Sequence, residues 1–211
     1  MDTTEFYKPV QEELVLVEKK IASIGDRAPS SSYSFLGNIL SHVLEAPGKR
    51  TRPAITLLAS KFHPYDHDRP QIMASAVELL HIATLIHDDT VDNSAVRRGK
   101  ATVSNHWGKN VAVLLGDYVF AASATFVCDT NNIRVIRRFS ETIMELSSGE
   151  LAEIFDAYSW TVSREPYWQR IYHKTASLFC TAAESGAVLS GAPEDHVQAL
   201  KSYGYNVGMA F

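Results

Sequence analysis

The sequence HIATLIHDDTVDNSAVRR, residues 81–98, ends an apolar segment with three closely spaced aspartates and then an arginine pair. The preceding run from Ile72 to Ile86 is apolar on nearly every side, which predicts a long helix buried in a large core. Asp88 and Asp92 are four residues apart and share one helix face, with Asp89 turned aside by about 100°. Like charges at this spacing repel, so the pattern indicates a cation site.

The cation that this cluster predicts is Mg²⁺. Carboxylate oxygens without nearby cysteine ligands suit a hard cation, and Mg²⁺ commonly bridges one or two carboxylates to the phosphates of a substrate. A solvated acidic helix end is the alternative interpretation. An acidic cluster at the end of a buried helix, however, is more typical of the mouth of a cavity.

Basic residues form three further groups along the chain. The segment GKRTRP, residues 48–53, has three cations in four positions and a proline in the first turn of a following helix. Arg97–Arg98 and Lys174–Thr175 are the other two groups. Guanidinium groups bind phosphate bidentately, and lysine binds it as a point charge. Each group alone could be a solvated surface cluster, but beside a magnesium site they indicate two diphosphates held next to each other.

The overall composition excludes several classes of protein. The net charge is −4, so the basic groups are local features and no nucleic-acid partner is expected. Only Cys128 and Cys180 occur, which rules out a disulfide framework and favours a reducing, cytoplasmic compartment. The N-terminus lacks the basic-then-apolar pattern of a secretory signal. The apolar window 111–127 contains Gly116 and Asp117, so we expect a core helix there and no transmembrane segment.

Five segments of the chain resemble the trans-type polyprenyl diphosphate synthases in order and approximate spacing: GKRTRP, HIATLIHDDTVDNSAVRRGKAT, LLGDYVFA, Lys174–Thr175 and YGYNVGMAF. The resemblance runs from about Gly48 to Phe211. It implies a Mg²⁺-dependent, head-to-tail condensation of isopentenyl diphosphate with an allylic diphosphate, which is geranyl, farnesyl or geranylgeranyl diphosphate. Similar proteins are homodimers with helices like 105–128 at the contact, so a homodimer is expected.

The resemblance also implies a role for each matching residue. Asp88 and Asp92 would hold Mg²⁺ on the allylic diphosphate, with Asp89 supporting them. Arg97, Lys174 and Thr175 would contact the same diphosphate. Isopentenyl diphosphate would bind to Lys49, Arg52, His81 and Arg98. The expected catalytic residues are therefore Asp88, Asp89, Asp92 and Lys174.

Two small residues, Ala83 and Thr84, bear on the length of the product. In the family the growing hydrocarbon tail passes the positions four and five residues before the first aspartate, and bulky aromatic residues there stop it. The resemblance therefore implies a product longer than geranylgeranyl diphosphate, of the octaprenyl or solanesyl type. A close helix–helix contact would explain the small residues equally well.

The chain departs from the family pattern in two places. A second aspartate-rich motif should follow YGYNVGMAF, but the sequence stops at Phe211. Glu153 stands where the family commonly has glutamine. We therefore expect the 211 residues to be part of a longer enzyme and to show little turnover alone.

Three other functions share part of the pattern. A non-catalytic subunit of such a synthase would explain the early stop. A terpene cyclase has the aspartate motif but needs no second diphosphate site, so GKRTRP and Arg97–Arg98 argue against it. An HD-type phosphohydrolase could use His81, His87 and Asp88, but it would not need the basic groups.

The periodicity is helical almost throughout, and alternating β-branched runs are scarce. We predict an all-α fold of the isoprenoid synthase type, an antiparallel helical bundle around a central apolar cavity, in one domain over residues 1–211 that is incomplete at its C-terminus. Loops are predicted at 25–31, 63–68 and 93–102. The predicted helices span 5–24, 32–45, 51–62, 69–92, 105–128, 131–158, 165–189 and 195–211.

Overall fold

The computed structural model describes residues 3–25, 34–46, 48–64, 66–156 and 163–211. Within these ranges the chain is almost entirely helical, which confirms the predicted all-α fold. Most of the predicted loop 25–31 lies outside the described residues, as do the first two residues of the predicted helix 32–45 and the last two of 131–158.

Eleven α-helices are present in the described part of the chain. The first half contains α1 (Thr3–Tyr7), a 3₁₀ turn (Lys8–Val10), α2 (Gln11–Ala22), α3 (Ser34–Leu44), α4 (Thr51–Ser60) and α5 (Asp68–Val91). A small hairpin of β1 (Val96–Arg97) and β2 (Lys100–Ala101) follows. The second half contains α6 (Val103–Trp107), α7 (Lys109–Asp129), α8 (Ile133–Asp156), α9 (Arg164–Ile171), a π-helical turn (Tyr172–Ala176), α10 (Ser177–Leu189) and α11 (Glu194–Ala210).

Helix α5 is the central element of the bundle. It packs against α2, α4, α7 and α10, and residues on all its sides are buried, among them Met73, Val77 and Leu80. An all-round apolar sequence produces this position because no face of the helix gains from contact with water. Polar residues are tolerated where the helix meets a pocket, and the last turns of α5 are such a place.

The hairpin lies in the predicted loop 93–102 and corrects that part of the prediction. Val96 pairs with Ala101 and Arg97 with Lys100. The two turn residues, Arg98 and Gly99, have φ angles of 51° and 79°. Two successive positive φ values are typical of a two-residue hairpin turn, which glycine favours and arginine adopts only rarely. The strand before this turn places Arg97 against Asp89, near the end of α5.

Helix α7 is long and apolar enough to cross a membrane by length and composition alone. It packs along α5, and 39% of its apolar window is buried. Val113 and Leu114 on its outer side are 44% and 68% exposed. The two cysteines, Cys128 on this helix and the buried Cys180, are both free thiols.

Candidate active site

An acidic pocket of about 280 Å³ lies between the end of α5, helix α8 and the π-helical turn. Asp88 of α5, Glu150 of α8 and Lys174 of the turn supply its charged lining. Apolar side chains complete it, among them Leu146, Leu151 and Ile154 of α8. The pocket therefore joins a charged region to an apolar wall, as a ligand with a charged head and a hydrocarbon tail would require.

The carboxyl group of Asp88 is unfavourably placed for a negative charge. Burial raises its pKa from 3.8 to about 6, and the negative charges of Glu150 and Asp92 act in the same direction, although Lys174 opposes them. Asp92 follows α5 directly, is exposed, and donates its backbone N–H to the carbonyl of Asp88 at 2.8 Å. Crowded carboxylates of this kind are stabilised by a bound cation.

The donor set fits Mg²⁺. Across the described ranges, no three histidine, cysteine or acidic side chains lie close enough together to enclose a metal ion. A cation held by Asp88 and Asp92 would therefore take its other ligands from phosphate oxygens and water. Mg²⁺ is commonly bound in this way, through one or two carboxylates and a substrate.

Asp89 lies apart from this pocket, on another side of α5. It is 6% exposed, and both of its carboxylate oxygens accept from Nε of Arg97 at 2.8 Å. Burial raises the pKa of Asp89, while the hydrogen bond and charge of Arg97 lower it. Asp89 therefore holds Arg97 of the hairpin. Its side chain lies on a different side of α5 from that of Asp88, as the offset of about 100° between consecutive helical residues predicts.

A second, basic pocket of about 720 Å³ contains all four residues predicted to bind isopentenyl diphosphate. Arg97 and Thr175, which the sequence assigned to the allylic diphosphate, line this basic pocket and not the acidic one. The four predicted residues come from the GKRTRP segment, from α5 and from the hairpin turn: Lys49, Arg52, His81 and Arg98.

Arg52 has a buried donor without an acceptor. Its Nε atom is buried and makes no hydrogen bond, and its Cζ atom lies 4.5 Å from the centre of the Phe179 ring. Burial lowers the pKa of Arg52 to about 10, with Glu78 raising it and Arg98 lowering it. A buried guanidinium N–H without a partner is expensive, so an anionic acceptor in this pocket would be strongly stabilised.

His81 is neutral in this environment. Its pKa is lowered to about 3 by burial and by the positive charges of Arg52 and its arginine neighbours. Its Nε2 atom lies 3.4 Å from Nη1 of Arg52. Because a guanidinium group only donates, Nε2 accepts and the ring proton is on Nδ1.

Glu78 and Arg50 form an ion pair in the lining of the basic pocket that the sequence interpretation missed. Arg50 has a φ of 51° and donates from Nη1 to Oε1 of Glu78 at 2.8 Å. Glu78 is 3% exposed. A Cβ atom on Gly48 would lie 2.7 and 2.9 Å from the Nη1 atoms of Arg50 and Arg98, so only glycine fits there without displacing them. A glutamate on an otherwise apolar helix, three residues before His81, was the available signal.

The π-helical turn distributes two consecutive residues between the two pockets. Lys174 lines the acidic pocket and Thr175 the basic one. The sequence predicted an uninterrupted helix over 165–189, and the turn corrects that prediction. Short π-helical insertions occur frequently at functional sites. Helix α8 approaches the turn closely at Gly149, where a Cβ atom would lie 2.7 Å from Cβ of His173 and 3.2 Å from the backbone nitrogen of Lys174.

Lys174 is paired with two glutamates of α8. Its Nζ atom lies 2.5 Å from Oε2 of Glu153 and 3.3 Å from Oε2 of Glu150. The sequence interpretation assigned no role to either glutamate. Their spacing of three residues on a predicted helix was the signal that they share a face.

The two residues predicted to control product length occupy different places. Thr84 lines the acidic pocket, and its hydroxyl donates to the carbonyl of His81 at 2.8 Å. Ala83 is 1% exposed and belongs to the core. The pocket wall therefore includes Thr84, while Ala83 fills a packed position behind it.

The cluster required by an HD-type phosphohydrolase is not assembled. His81 lines the basic pocket. His87 lines the acidic pocket, and its Nε2 atom is 3.3 Å from the carbonyl of Val113 and 3.4 Å from Oδ1 of Asp117. The two histidines and Asp88 therefore do not converge on one metal.

Comparisons with known proteins agree with this geometry. Residues 33–211 match the family model described as Polyprenyl synthetase. The chain is 37% identical over 211 residues to heptaprenyl diphosphate synthase component 2 of Geobacillus stearothermophilus, covering 100% of this chain and 65% of that protein. It is 31% identical over 182 residues to octaprenyl diphosphate synthase of Escherichia coli strain K12, covering 86% of this chain and 56% of that protein.

Solved structures show the same relationship. A decaprenyl diphosphate synthase from Rhodobacter capsulatus superimposes with a TM-score of 0.91 at 36% identity, covering 98% of this chain and 63% of that one. A polyprenyl synthase from Caulobacter crescentus CB15, complexed with calcium and isoprenyl diphosphate, gives a TM-score of 0.89 at 33% identity, covering 96% and 61%. The chain thus spans less than two thirds of the length of these relatives.

Proposed function

Because the chain belongs to the polyprenyl synthetase family, we propose that the protein joins isopentenyl diphosphate to an allylic diphosphate, head to tail and with Mg²⁺, to make a polyprenyl diphosphate. The observation that carries this proposal is the pair of adjacent pockets, one acidic and partly apolar, the other basic with an unpartnered buried guanidinium N–H. Two diphosphate substrates need two such sites, whereas a terpene cyclase needs only one.

The acidic pocket is the proposed site of the allylic diphosphate. Asp88 would hold Mg²⁺ there together with Asp92, which lies outside the pocket lining but close enough for its charge to act on Asp88, and Lys174 would contact the diphosphate directly. Mg²⁺ in this position supplies Lewis-acid stabilisation of a leaving diphosphate. Asp89 acts indirectly by fixing Arg97 at the basic pocket.

The basic pocket is the proposed site of isopentenyl diphosphate. Arg52 offers its unpartnered Nε–H, and neutral His81 can donate from Nδ1, while Lys49 and Arg98 supply positive charge. Arg97 and Thr175 line the same pocket; because the charge of Arg97 also acts on Asp88 and Thr175 follows Lys174 in the chain, we place both residues between the two diphosphates. All these groups are donors or cations, which is the complement of a diphosphate.

The reaction requires no nucleophilic side chain from the protein. The carbon–oxygen bond of the allylic diphosphate ionises, the isopentenyl double bond attacks the resulting cation, and the departing diphosphate is positioned to accept the proton that is lost. The side chains position the two substrates and stabilise charge. Leu146, Leu151 and Ile154 form the apolar wall of the acidic pocket, beside which the hydrocarbon part of the allylic substrate would lie.

The proposed product is longer than geranylgeranyl diphosphate. Thr84 leaves the wall of the acidic pocket without a bulky aromatic group. Relatives named as heptaprenyl, octaprenyl and solanesyl diphosphate synthases support a long chain.

We also propose a homodimer in the cytoplasm. Large apolar side chains are exposed on α7 and α8, including Leu114 and Met144, each 68% exposed. A second copy covering this face would remove them from water. Light scattering of the purified protein tests the dimer, and cell fractionation tests the location. The name of the Geobacillus relative, a component 2, makes an unlike second subunit the alternative outcome.

The deciding experiment incubates the intact gene product with labelled isopentenyl diphosphate, farnesyl diphosphate and Mg²⁺. Elongated prenyl diphosphates are expected, and they should disappear in the Asp88→Asn variant but persist in Asp129→Asn, which changes an exposed carboxylate. A cyclised hydrocarbon would indicate a terpene cyclase. Phosphate release from nucleotides would indicate a phosphohydrolase, and no reaction at all a silent subunit.

A further inference from the structure

Lys174 does not enter the acidic pocket as an isolated cation. Helix α8 presents two carboxylates one turn apart, and the lysine contacts both, at 2.5 Å from Glu153 and 3.3 Å from Glu150. The three side chains are 39%, 43% and 22% exposed, so the cluster is partly shielded from water. Burial lowers the pKa of Lys174, but the hydrogen bond to Glu153 and the charges of both glutamates raise it above its ordinary value.

The two glutamates differ in what else they face. Glu150 lines the acidic pocket and its charge acts on Asp88. Glu153 is not part of the pocket lining, and its hydrogen bond and its ion pair both go to Lys174. Glu150 therefore belongs to the site itself, whereas Glu153 reaches the site through the lysine.

This cluster opposes the binding of an anion. One ammonium and two carboxylates give a local charge of −1, and two of the three N–H donors of Lys174 already have acceptors. A diphosphate that uses Lys174 must share its remaining donor or displace a carboxylate. Glu153 is the one to be displaced, because it is the more exposed of the two and lies outside the pocket.

We propose that Glu153 is a positioning residue that lowers the affinity of the acidic pocket for diphosphates by holding Lys174 in this ion cluster. The inference rests on the proposed function, in which Lys174 contacts the allylic diphosphate. Glutamine at this position keeps the shape and one acceptor for Lys174 but removes the charge. Glu153→Gln is therefore expected to tighten diphosphate binding.

Isothermal titration with inorganic pyrophosphate and Mg²⁺ at pH 8 tests this prediction on the 211-residue chain. Glu153→Gln should lower the Kd by about two- to fivefold, the range expected for a partly exposed ion pair. The gain should shrink as salt is added, because salt screens the charges. Glu165→Gln is the matched control: it removes the same charge from an exposed site on α9 and should leave the Kd unchanged.

A double-mutant cycle with Lys174→Gln distinguishes an effect of Glu153 through the lysine from a direct effect of its charge on the ligand. If Glu153 acts through the lysine, Glu153→Gln has no effect on the Kd when Lys174 is already replaced. Suppose that the parent chain binds pyrophosphate and that Lys174→Gln binds it less well. If Glu153→Gln then binds it with unchanged or weaker affinity, this inference is overturned and the proposed function stands. Absence of pyrophosphate binding by the parent chain would overturn this inference, which requires a diphosphate site at Lys174, whereas the proposed function is judged by product formation in the intact gene product.

Discussion

Replacement of Asp88 by asparagine should stabilise the metal-free protein. The carboxyl group is held in a pocket where burial and Glu150 disfavour its charge, and its pKa is raised from 3.8 to about 6. A rise of that size corresponds to at most about 3 kcal/mol of unfavourable free energy at pH 8. Solvent and counter-ions reach this pocket, so we expect Asp88→Asn to raise the free energy of unfolding by about 1–2 kcal/mol.

The pH dependence follows from the direction of this change. Because the folded-state pKa of Asp88 lies above its unfolded value, the unfavourable contribution is fully present above pH 6 and disappears as the pH falls towards 3.8. The gain in the free energy of unfolding from Asp88→Asn should therefore fall to about half by pH 5 and be small at pH 4.

Urea denaturation without divalent cations, at pH 8 and pH 5, measures both effects. Asp129→Asn at the exposed end of α7 is the control and should change the stability by less than about 0.5 kcal/mol. The same Asp88→Asn variant should lose Mg²⁺-dependent binding of pyrophosphate. The reasoning fails if Asp88→Asn is less stable than the parent at pH 8, or if its gain is equal at pH 5 and pH 8.

Three further predictions concern other parts of the site. Gly149→Ala should reduce the stability by about 1–3 kcal/mol in thermal unfolding, because its Cβ would lie 2.7 Å from that of His173. Gly37→Ala on α3 is the control: a Cβ atom there would have no atom within 4 Å, so this variant should be more stable than the parent by about 0.5–1 kcal/mol. Arg52→Lys keeps the charge but removes the buried Nε–H, and calorimetry should show pyrophosphate binding about five- to tenfold weaker. Thr84→Tyr should shorten the product found by chromatography. Ala83→Tyr, which the sequence predicts to shorten the product as well, should also destabilise the fold by about 1–3 kcal/mol, because Ala83 is 1% exposed.

Much of the fold follows from hydrophobic periodicity. The helix predicted at 69–92 is α5 at Asp68–Val91, and that predicted at 195–211 is α11 at Glu194–Ala210. The length of the apolar run defines α5, and the helical spacing of apolar residues defines α11. The predicted helix 105–128 instead divides at Gly108, whose φ of 92° separates α6 from α7. Nothing in the period of that segment distinguishes a break from a continuous helix.

The site is predictable to the extent that its residues are close in sequence. Asp88 lines the acidic pocket and Asp89 binds Arg97 instead, in line with the different faces that a helical period assigns to them, whereas the four residues of the basic pocket were grouped by the family resemblance and not by proximity in sequence. The π-helical turn and the pairing of Lys174 with Glu153 depend on how α8 packs against the turn at Gly149. Contacts between segments more than twenty residues apart leave no local pattern, so residue types alone could not predict them.

The order Lys174–Thr175 has a mechanical consequence. Neighbouring residues of one chain contact both pockets, so a single peptide unit separates the donors offered to the two ligands. A shift of the π-helical turn that brings one donor closer to its ligand must also move the other. Occupancy of one pocket should therefore change the affinity of the other, and by linkage the effect must be the same in both directions.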